Sequence, residues 1–306
     1  MRIQYVLPGV MSRTEAGKKE MQRRLGLLQK WAADGTTVGI VDIENGPMSI
    51  ESHYEEYLSA PGAMERVREA EQAGFDAAIV GCYGDPGVDG ARELVRIPVV
   101  GPGEASMFMA CMLGHKYGIV SVMESTGPTL DKLARLVGAD AKYIGAVSVG
   151  IPVLELASDC ERTFAAIVEA GRSLAGRGAD TLVLGCMSMA FMDISGEVEK
   201  ALSIPVINPA RAALAMAETL VRCGLSHSKK AYPLPPKLAA AGRWRPSDDG
   251  TQHAQQVREV SLYEVQCQGS RRTGPIPGLE GTDVGALQGA EHDPPTVGDG
   301  RRLPGG

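Results

Sequence analysis

The chain has 306 residues, 44% of them apolar and 22% charged, with a formal net charge of −6. This length holds two compact lobes or one large α/β domain with extensions, and the apolar share is ordinary for a globular core. The acidic balance, with no block of Lys and Arg, argues against a nucleic-acid or anionic-membrane surface, and no apolar run approaches the ~18 residues of a membrane span.

The opening MRIQYVLPGV does not read as a signal peptide, because Pro and Gly arrive too early. Within it RIQYVL predicts a strand, followed by a charged helix over about 12–33 and a second strand at TVGIVDI. The third unit places Pro61 near a helix start and Gly74 as that helix's C-terminal cap. GFDAAIVGCYGDPG, residues 74–87, then reads as a buried strand over 77–80, a cysteine at Cys82, and the turn residues Gly84, Asp85 and Pro86. IPVVGPG closes the first series.

A second series has the same layout. KYGIVSVM is a strand, a helix covers about 127–137, KYIGAVSV is a strand, and another helix covers about 161–175. GADTLVLGCMSMAF, residues 178–191, repeats the earlier pattern: Gly, any residue, Asp, four mostly apolar residues, then Gly-Cys at Gly185 and Cys186. IPVINP at 204–209 matches IPVVGP at 97–102, and a helix over about 209–223 crosses back to the first series.

The β–α alternation predicts an α/β fold of right-handed βαβ units. The repeat predicts two pseudo-symmetric lobes, each a mainly parallel sheet flanked by helices, with a cleft between them. The first lobe is expected at 1–110 plus 209–238 and the second at 111–208. Residues 239–306, rich in Gly and Pro, are expected to be a disordered tail with one short strand-like stretch, VREVSLYEV.

Ligands of open α/β sheets bind at the carboxyl ends of strands, so Cys82 and Cys186 are expected to face one cleft. Each follows a glycine and precedes a turn or helix start, where main-chain amides favour thiolate and permit labelling at mildly acidic pH. Cys111, Cys160 and Cys223 lie in helical patterns and are expected to be small buried apolar groups. Six cysteines without CxxC spacing form no zinc or disulfide framework and fit a reducing, cytoplasmic setting. His115 and His227 lack partners at ligand spacing, so no metal is expected, and His53, a lone histidine in IESHYEE, reads as a surface polar group sooner than as a lining of the cleft. GPGEAS at 101–106 matches neither G-x-G-x-x-G nor a Walker loop.

Two opposed thiols suit proton removal from one face of a carbon and proton return to the other, with no cofactor. At GCYGDPG, IPVVGPGEA, IPVLEL, the Gly-Cys before Met187, and GPMSIESHYEEYLSAPG (46–62), the sequence resembles the aspartate/glutamate/hydantoin racemase superfamily, most closely its hydantoin and allantoin racemase branch. The resemblance covers about 1–238. It implies cofactor-independent racemisation, a homo-oligomer, Cys82 and Cys186 as the catalytic pair, and a 5-substituted hydantoin or allantoin as substrate. It further implies a substrate shell of Pro8, Gly9, Ile50, Tyr83, Gly84, Ser121, Val122, Met187 and Ser188.

That shell departs from the branch. Leu7, Gly9 and Val10 stand where it commonly has Asn, Asn and Ser or Thr, Ser121 and Val122 where it has two threonines, and Ser188 where it has glycine. Within the superfamily the alternatives are an amino-acid racemase, a maleate isomerase-like enzyme and an arylmalonate decarboxylase-like enzyme. From another class, a two-lobed small-molecule sensor would use the cysteines only to line a pocket.

Overall fold

The computed structural model describes residues 1–240. The expected strand at 257–265, Cys267 and the tail beyond Ala240 lie outside the described residues.

Strands β1 (Arg2–Leu7), β2 (Thr37–Asp42), β3 (Ala77–Val80) and β4 (Val99–Val100) form one parallel sheet in the order β2-β1-β3-β4. Strands β5 (Tyr117–Ser121), β6 (Tyr143–Ser148), β7 (Thr181–Leu184) and β8 (Val206–Ile207) form a second in the order β6-β5-β7-β8. The two orders are the same when the second set is renumbered from one. β3 and β7 are buried throughout, as expected of central strands covered on both faces.

Among the described residues ten α-helices accompany these strands: α1 (Glu15–Trp31), α2 (His53–Gln72), α3 (Val88–Leu94), α4 (Pro102–Leu113), α5 (Gly127–Leu136), α6 (Cys160–Gly176), α7 (Met187–Ala190), α8 (Ser195–Leu202), α9 (Pro209–Arg222) and α10 (Pro236–Ala240). Several of their starts are chemically marked. Thr14 caps α1 and Asp159 caps α6 through side-chain oxygens, and Asn208 caps α9 with Pro209 at its first position. The helix after β4 and the helix after β8 pack on each other; α4 lies against β7 and β8, and α9 against β3 and β4. Each sheet is thus covered by a helix from the other half of the repeat.

One expected boundary differs. Pro61 lies in the interior of α2, not near its start. The start is set by Ser52, whose hydroxyl accepts the Glu55 N–H at 3.4 Å and donates to the Glu55 carboxylate at 3.1 Å. With the Glu55 carboxylate also accepting the Glu51 N–H at 2.6 Å, this variant of the capping box fixes an N-terminus eight residues before Pro61. Gly74 has the positive φ of 75° that a chain leaving a helix needs.

Candidate active site

The repeat carries through to individual hydrogen bonds. β1 pairs with β3 so that Val6 faces Val80, and β5 pairs with β7 so that Val120 faces Leu184. Directly beyond, the Gly81 N–H donates to Val6 O and the Gly185 N–H to Val120 O, both at 2.7 Å. Cys82 and Cys186 are the next residues, at equivalent carboxyl ends of the two central strands.

Each preceding glycine has a steric cause. A β-carbon on Gly81 would stand 2.3 Å from the Tyr5 ring, and one on Gly185 would stand 2.5 Å from Ile119 Cγ2 and 3.0 Å from the Val120 carbonyl oxygen. The chain must pass close over the neighbouring strand before it turns out with the thiol.

The chain leaves the two cysteines by different routes. Cys186 is the N-cap of α7, and the Ser188 and Met189 amides donate toward its sulfur. Cys82 opens a turn through Asp85, which has a φ of 52°, and α3 begins six residues later behind Gly87. Cys82 therefore lacks the expected helix terminus, and the Gly84 amide is the donor at its sulfur.

The expected depressed thiol pKa is also corrected. Burial pushes Cys82 up to about 12, with the Gly84 amide pulling it down and Cys186, Asp85 and Glu56 pushing it further up. Burial raises Cys186 as well, opposed by the Met189 and Ser188 amides and by Arg24. Desolvation of the charged form outweighs a few amide dipoles. Labelling of this pair at mildly acidic pH is not expected. Cys160 and Cys223, expected to be buried, are exposed at the first position of α6 and at the C-cap of α9, and Cys111 is half-buried.

Asp85 holds the Cys82 turn in place. Its carboxylate accepts the Gly103 N–H at 2.9 Å and the Glu104 N–H at 2.8 Å, capping α4 from a loop 18 residues earlier. Glycine is needed at positions 101 and 103, where a β-carbon would fall within 2.3 Å and 3.0 Å of this carboxylate. Asp85→Ala should cost about 1–2 kcal/mol for loss of the cap, read as a lower denaturation midpoint. Asp85→Asn should cost less, because its one oxygen still accepts.

The remaining expected site residues fall into two groups. Pro8 and Gly9 follow β1, and the adjacent Val10 N–H donates to Pro47 O at 3.1 Å, which ties this loop to the one carrying Ile50. Beside Ile50, Glu51 joins the two halves of the repeat: its carboxylate accepts the Val153 N–H and its carbonyl accepts from Ser125 Oγ, both at 2.7 Å. Gly84 lies beside Glu56 and Thr129, and Thr129 Oγ1 is 3.2 Å from His53 Nδ1. Ser188 follows Cys186 and is half-buried.

The side chains of Tyr83, Val122 and Met187 are instead buried in apolar clusters. The Ser121 hydroxyl is engaged with Thr126 Oγ1 at 2.5 Å.

A cavity of about 630 Å³ opens beside the Cys82 turn, lined by Gly84, Asp85, Glu56, Arg92, Glu104 and Lys132 among others, but neither cysteine lines it. The strand-end position of the thiols, where parallel sheets bind ligands, is the stronger guide to the site. Among the described residues no cluster of three or more His, Cys, Asp and Glu side chains could hold a metal ion, and no helix is long and apolar enough to cross a membrane. His227 accepts the Val99 N–H at 2.9 Å and serves the fold.

Arg24 and Tyr5 are the polar residues that the sequence did not single out. Arg24 is 7% exposed, and its guanidinium donates to Ser188 Oγ at 3.2 Å. Tyr5 is fully buried, and its hydroxyl has no hydrogen-bond partner among the described residues. Both sit where strand and helix periodicity alone predict core or surface.

Two matched parallel sheets with paired strand-end thiols define a two-lobed α/β enzyme of internal pseudo-symmetry. The family model described as Asp/Glu/Hydantoin racemase matches residues 10–217. The chain belongs to that family and is a racemase, an isomerase. It is similar to the hydantoin racemase of Pseudomonas sp. (strain NS671), 35% identical over 69% of this chain and 85% of that protein. It is also similar to the hydantoin racemase of Rhizobium meliloti, 32% identical over 64% and 81%. Among solved structures, allantoin racemase from Klebsiella pneumoniae superposes with a TM-score of 0.70 at 32% identity, covering 77% of this chain and 94% of that one. An arylmalonate decarboxylase variant, at 15% identity and a TM-score of 0.54 over 72% of this chain and 92% of that one, shares the fold.

Proposed function

We propose that this racemase inverts the stereocentre of a 5-substituted hydantoin or allantoin, with Cys82 and Cys186 as its acid/base pair. The observation that carries the reading is the matched placement of the two thiols, each one residue beyond the same strand-end hydrogen bond. The electrostatic influence of Cys186 on Cys82 supports their proximity. The hydantoin and allantoin racemases among its relatives support the substrate class.

In one direction a thiolate removes the proton at C5. The C–H bond breaks, an S–H bond forms, and the electron pair moves onto the adjacent carbonyl oxygen as an enolate. The opposite thiol then delivers its proton to the other face, re-forming C–H and leaving a thiolate. The Gly84, Ser188 and Met189 amides that point at the sulfurs offset part of the burial cost of the charged form. The side chains of Leu7, Val10 and Val122 donate no hydrogen bonds, so at those positions a ring carbonyl can be met only by main-chain amides.

The direct test is polarimetry on enantiopure 5-substituted hydantoins, allantoin, glutamate and aspartate. Rotation should decay on a hydantoin or on allantoin and persist on the amino acids. Decay on the amino acids alone would overturn the substrate class.

The raised thiols fix the sign of the pH dependence. One cysteine must be thiolate, and both are shifted above their ordinary value, so the active fraction at neutral pH is small and grows as pH rises. Corrected for ionisation of the hydantoin ring N–H, kcat/KM should climb by about tenfold per pH unit from neutral into the alkaline range. A profile that is flat or falls across that interval would contradict this charge state.

A further inference from the structure

The two cysteines occupy equivalent positions in different electrostatic settings. On the Cys186 side, two arginines of α1, joined through Glu20, hold the short segment that carries the thiol. Arg24 donates to Glu20 Oε1 at 2.8 Å and to Ser188 Oγ at 3.2 Å, with its guanidinium 4.8 Å from the centre of the Phe191 ring. Arg23 donates twice to the same Glu20 carboxylate, at 2.7 Å, and to Phe191 O at 2.8 Å. One carboxylate thus serves two guanidiniums, which leaves a net positive charge beneath α7.

On the Cys82 side the side-chain charges that act on the sulfur, apart from Cys186, are acidic, and the cations Arg92 and Lys132 line the cavity beyond the turn. Asp85 follows in its own turn, and Glu56 of α2 lies against Gly84. Tyr5 of β1 packs on Gly81 and lies within electrostatic reach of both sulfurs and of Arg24.

We propose that Arg24 is a positioning residue that fixes the negative charge of the singly ionised, active enzyme on Cys186 and leaves Cys82 as the proton donor. This rests on the reading of the two cysteines as an acid/base pair. Coulomb attraction inside a poorly solvated site favours the thiolate beside the buried cation over the one that faces the Glu56 carboxylate and Asp85, whose own acid is pushed up by burial. Among the singly ionised molecules, the substrate enantiomer whose C5 proton faces Cys186 then meets the prevailing form, whereas the other must wait for a proton to move between sulfurs. The counterpart of α1 in the second series is α5, which brings the neutral Thr129 to Gly84 of the Cys82 turn where α1 brings Arg24 to Ser188.

The test uses the full chain. Iodoacetamide alkylation of the Cys82 and Cys186 peptides is followed by mass spectrometry from neutral to alkaline pH, and the midpoint of each rate profile, not its height, is compared. The Cys186 midpoint should lie below that of Cys82. Arg24→Gln should raise the Cys186 midpoint by about one pH unit, about a tenfold slower reaction below the midpoint, and leave Cys82 in place. Arg24→Lys should restore part of the shift. A lower midpoint for Cys82, or an Arg24→Gln change that moves both thiols alike or neither, would overturn the proposal.

If Arg24→Gln fails to fold, Glu20→Gln removes the carboxylate that offsets Arg23 and Arg24 and should lower the Cys186 midpoint alone; no shift, or an equal shift in both thiols, would overturn the assignment. Activity separates the two layers. Near-normal racemisation in Cys82→Ser or Cys186→Ser would remove the pair itself, whereas two inactive variants with the reversed midpoint order would remove only the assignment of the charge.

Discussion

In deuterated water, Cys82→Ser and Cys186→Ser should each lose racemisation while retaining proton exchange on one enantiomer only. Serine is a far weaker base at neutral pH, and a positioned acid or base contributes typically about 10²–10⁴-fold, so racemisation should fall by at least that range in either variant. Each variant keeps one thiol on one face of the stereocentre. It can still remove that face's proton and return deuterium to the same face, which labels the substrate without inverting it. Because the two sulfurs end opposite halves of the repeat, the variants should exchange opposite enantiomers. Chiral chromatography with mass detection reads both quantities. Exchange of the same enantiomer in both variants would contradict opposed thiols, and near-normal racemisation in either would contradict the pair.

The second large effect is steric. Gly81→Ala and Gly185→Ala should each cost about 1–3 kcal/mol of stability, the range for forcing extra atoms into a packed interior. At Gly81 the added carbon meets the rigid Tyr5 ring at 2.3 Å, and at Gly185 it meets Ile119 Cγ2 at 2.5 Å and main-chain oxygen at 3.0 Å. Relief requires the strand end to move, and the next residue along is the cysteine. Activity should therefore fall further than stability. Gly26→Ala is the matched control, since nothing lies within 4 Å of a β-carbon there. In the middle of α1 that change should stabilise by about 0.5–1 kcal/mol. Chemical denaturation and initial rates on the three variants check the set, and a neutral Gly81→Ala would show that the strand end has slack.

The architecture was legible because the chain repeats itself. The matched Gly-x-Asp, apolar run and Gly-Cys, followed by IPVVGP and IPVINP, carry both central strands, both thiols and the helices α4 and α9 after them. The Ser-Ile-Glu-Ser stretch was visible as a motif, but its physical part was not. Ser52 and Glu55 start α2 as a capping box, and Glu51 joins the halves of the repeat through Val153 and Ser125.

The relations that stayed hidden join residues far apart in sequence. Asp85 read as a turn residue, and its partners are amides of a helix that begins 17 residues later. Arg24 has the sequence context of a solvent-facing charge, yet the α7 segment packs over it and buries it. The thiol pKa values could not be read from neighbours in the chain, because their largest cause is burial, which only the assembled halves create. Tyr83 and Met187 directly follow the two cysteines and Val122 follows β5, yet their side chains are buried in apolar clusters, a partnership that only the assembled sheets and helices create.

The central claim is that racemisation proceeds by two opposed thiols, and isotope placement early in the wild-type reaction tests it most directly. An enantiopure 5-alkyl hydantoin is incubated with the full chain in deuterated water, stopped at low conversion, and resolved into its enantiomers for mass measurement against an enzyme-free control. A proton removed by one cysteine and a deuteron supplied by the other should leave the remaining substrate protiated and the product enantiomer deuterated. Comparable deuterium in both enantiomers would mean that one group serves both faces, and it would contradict the two-thiol account.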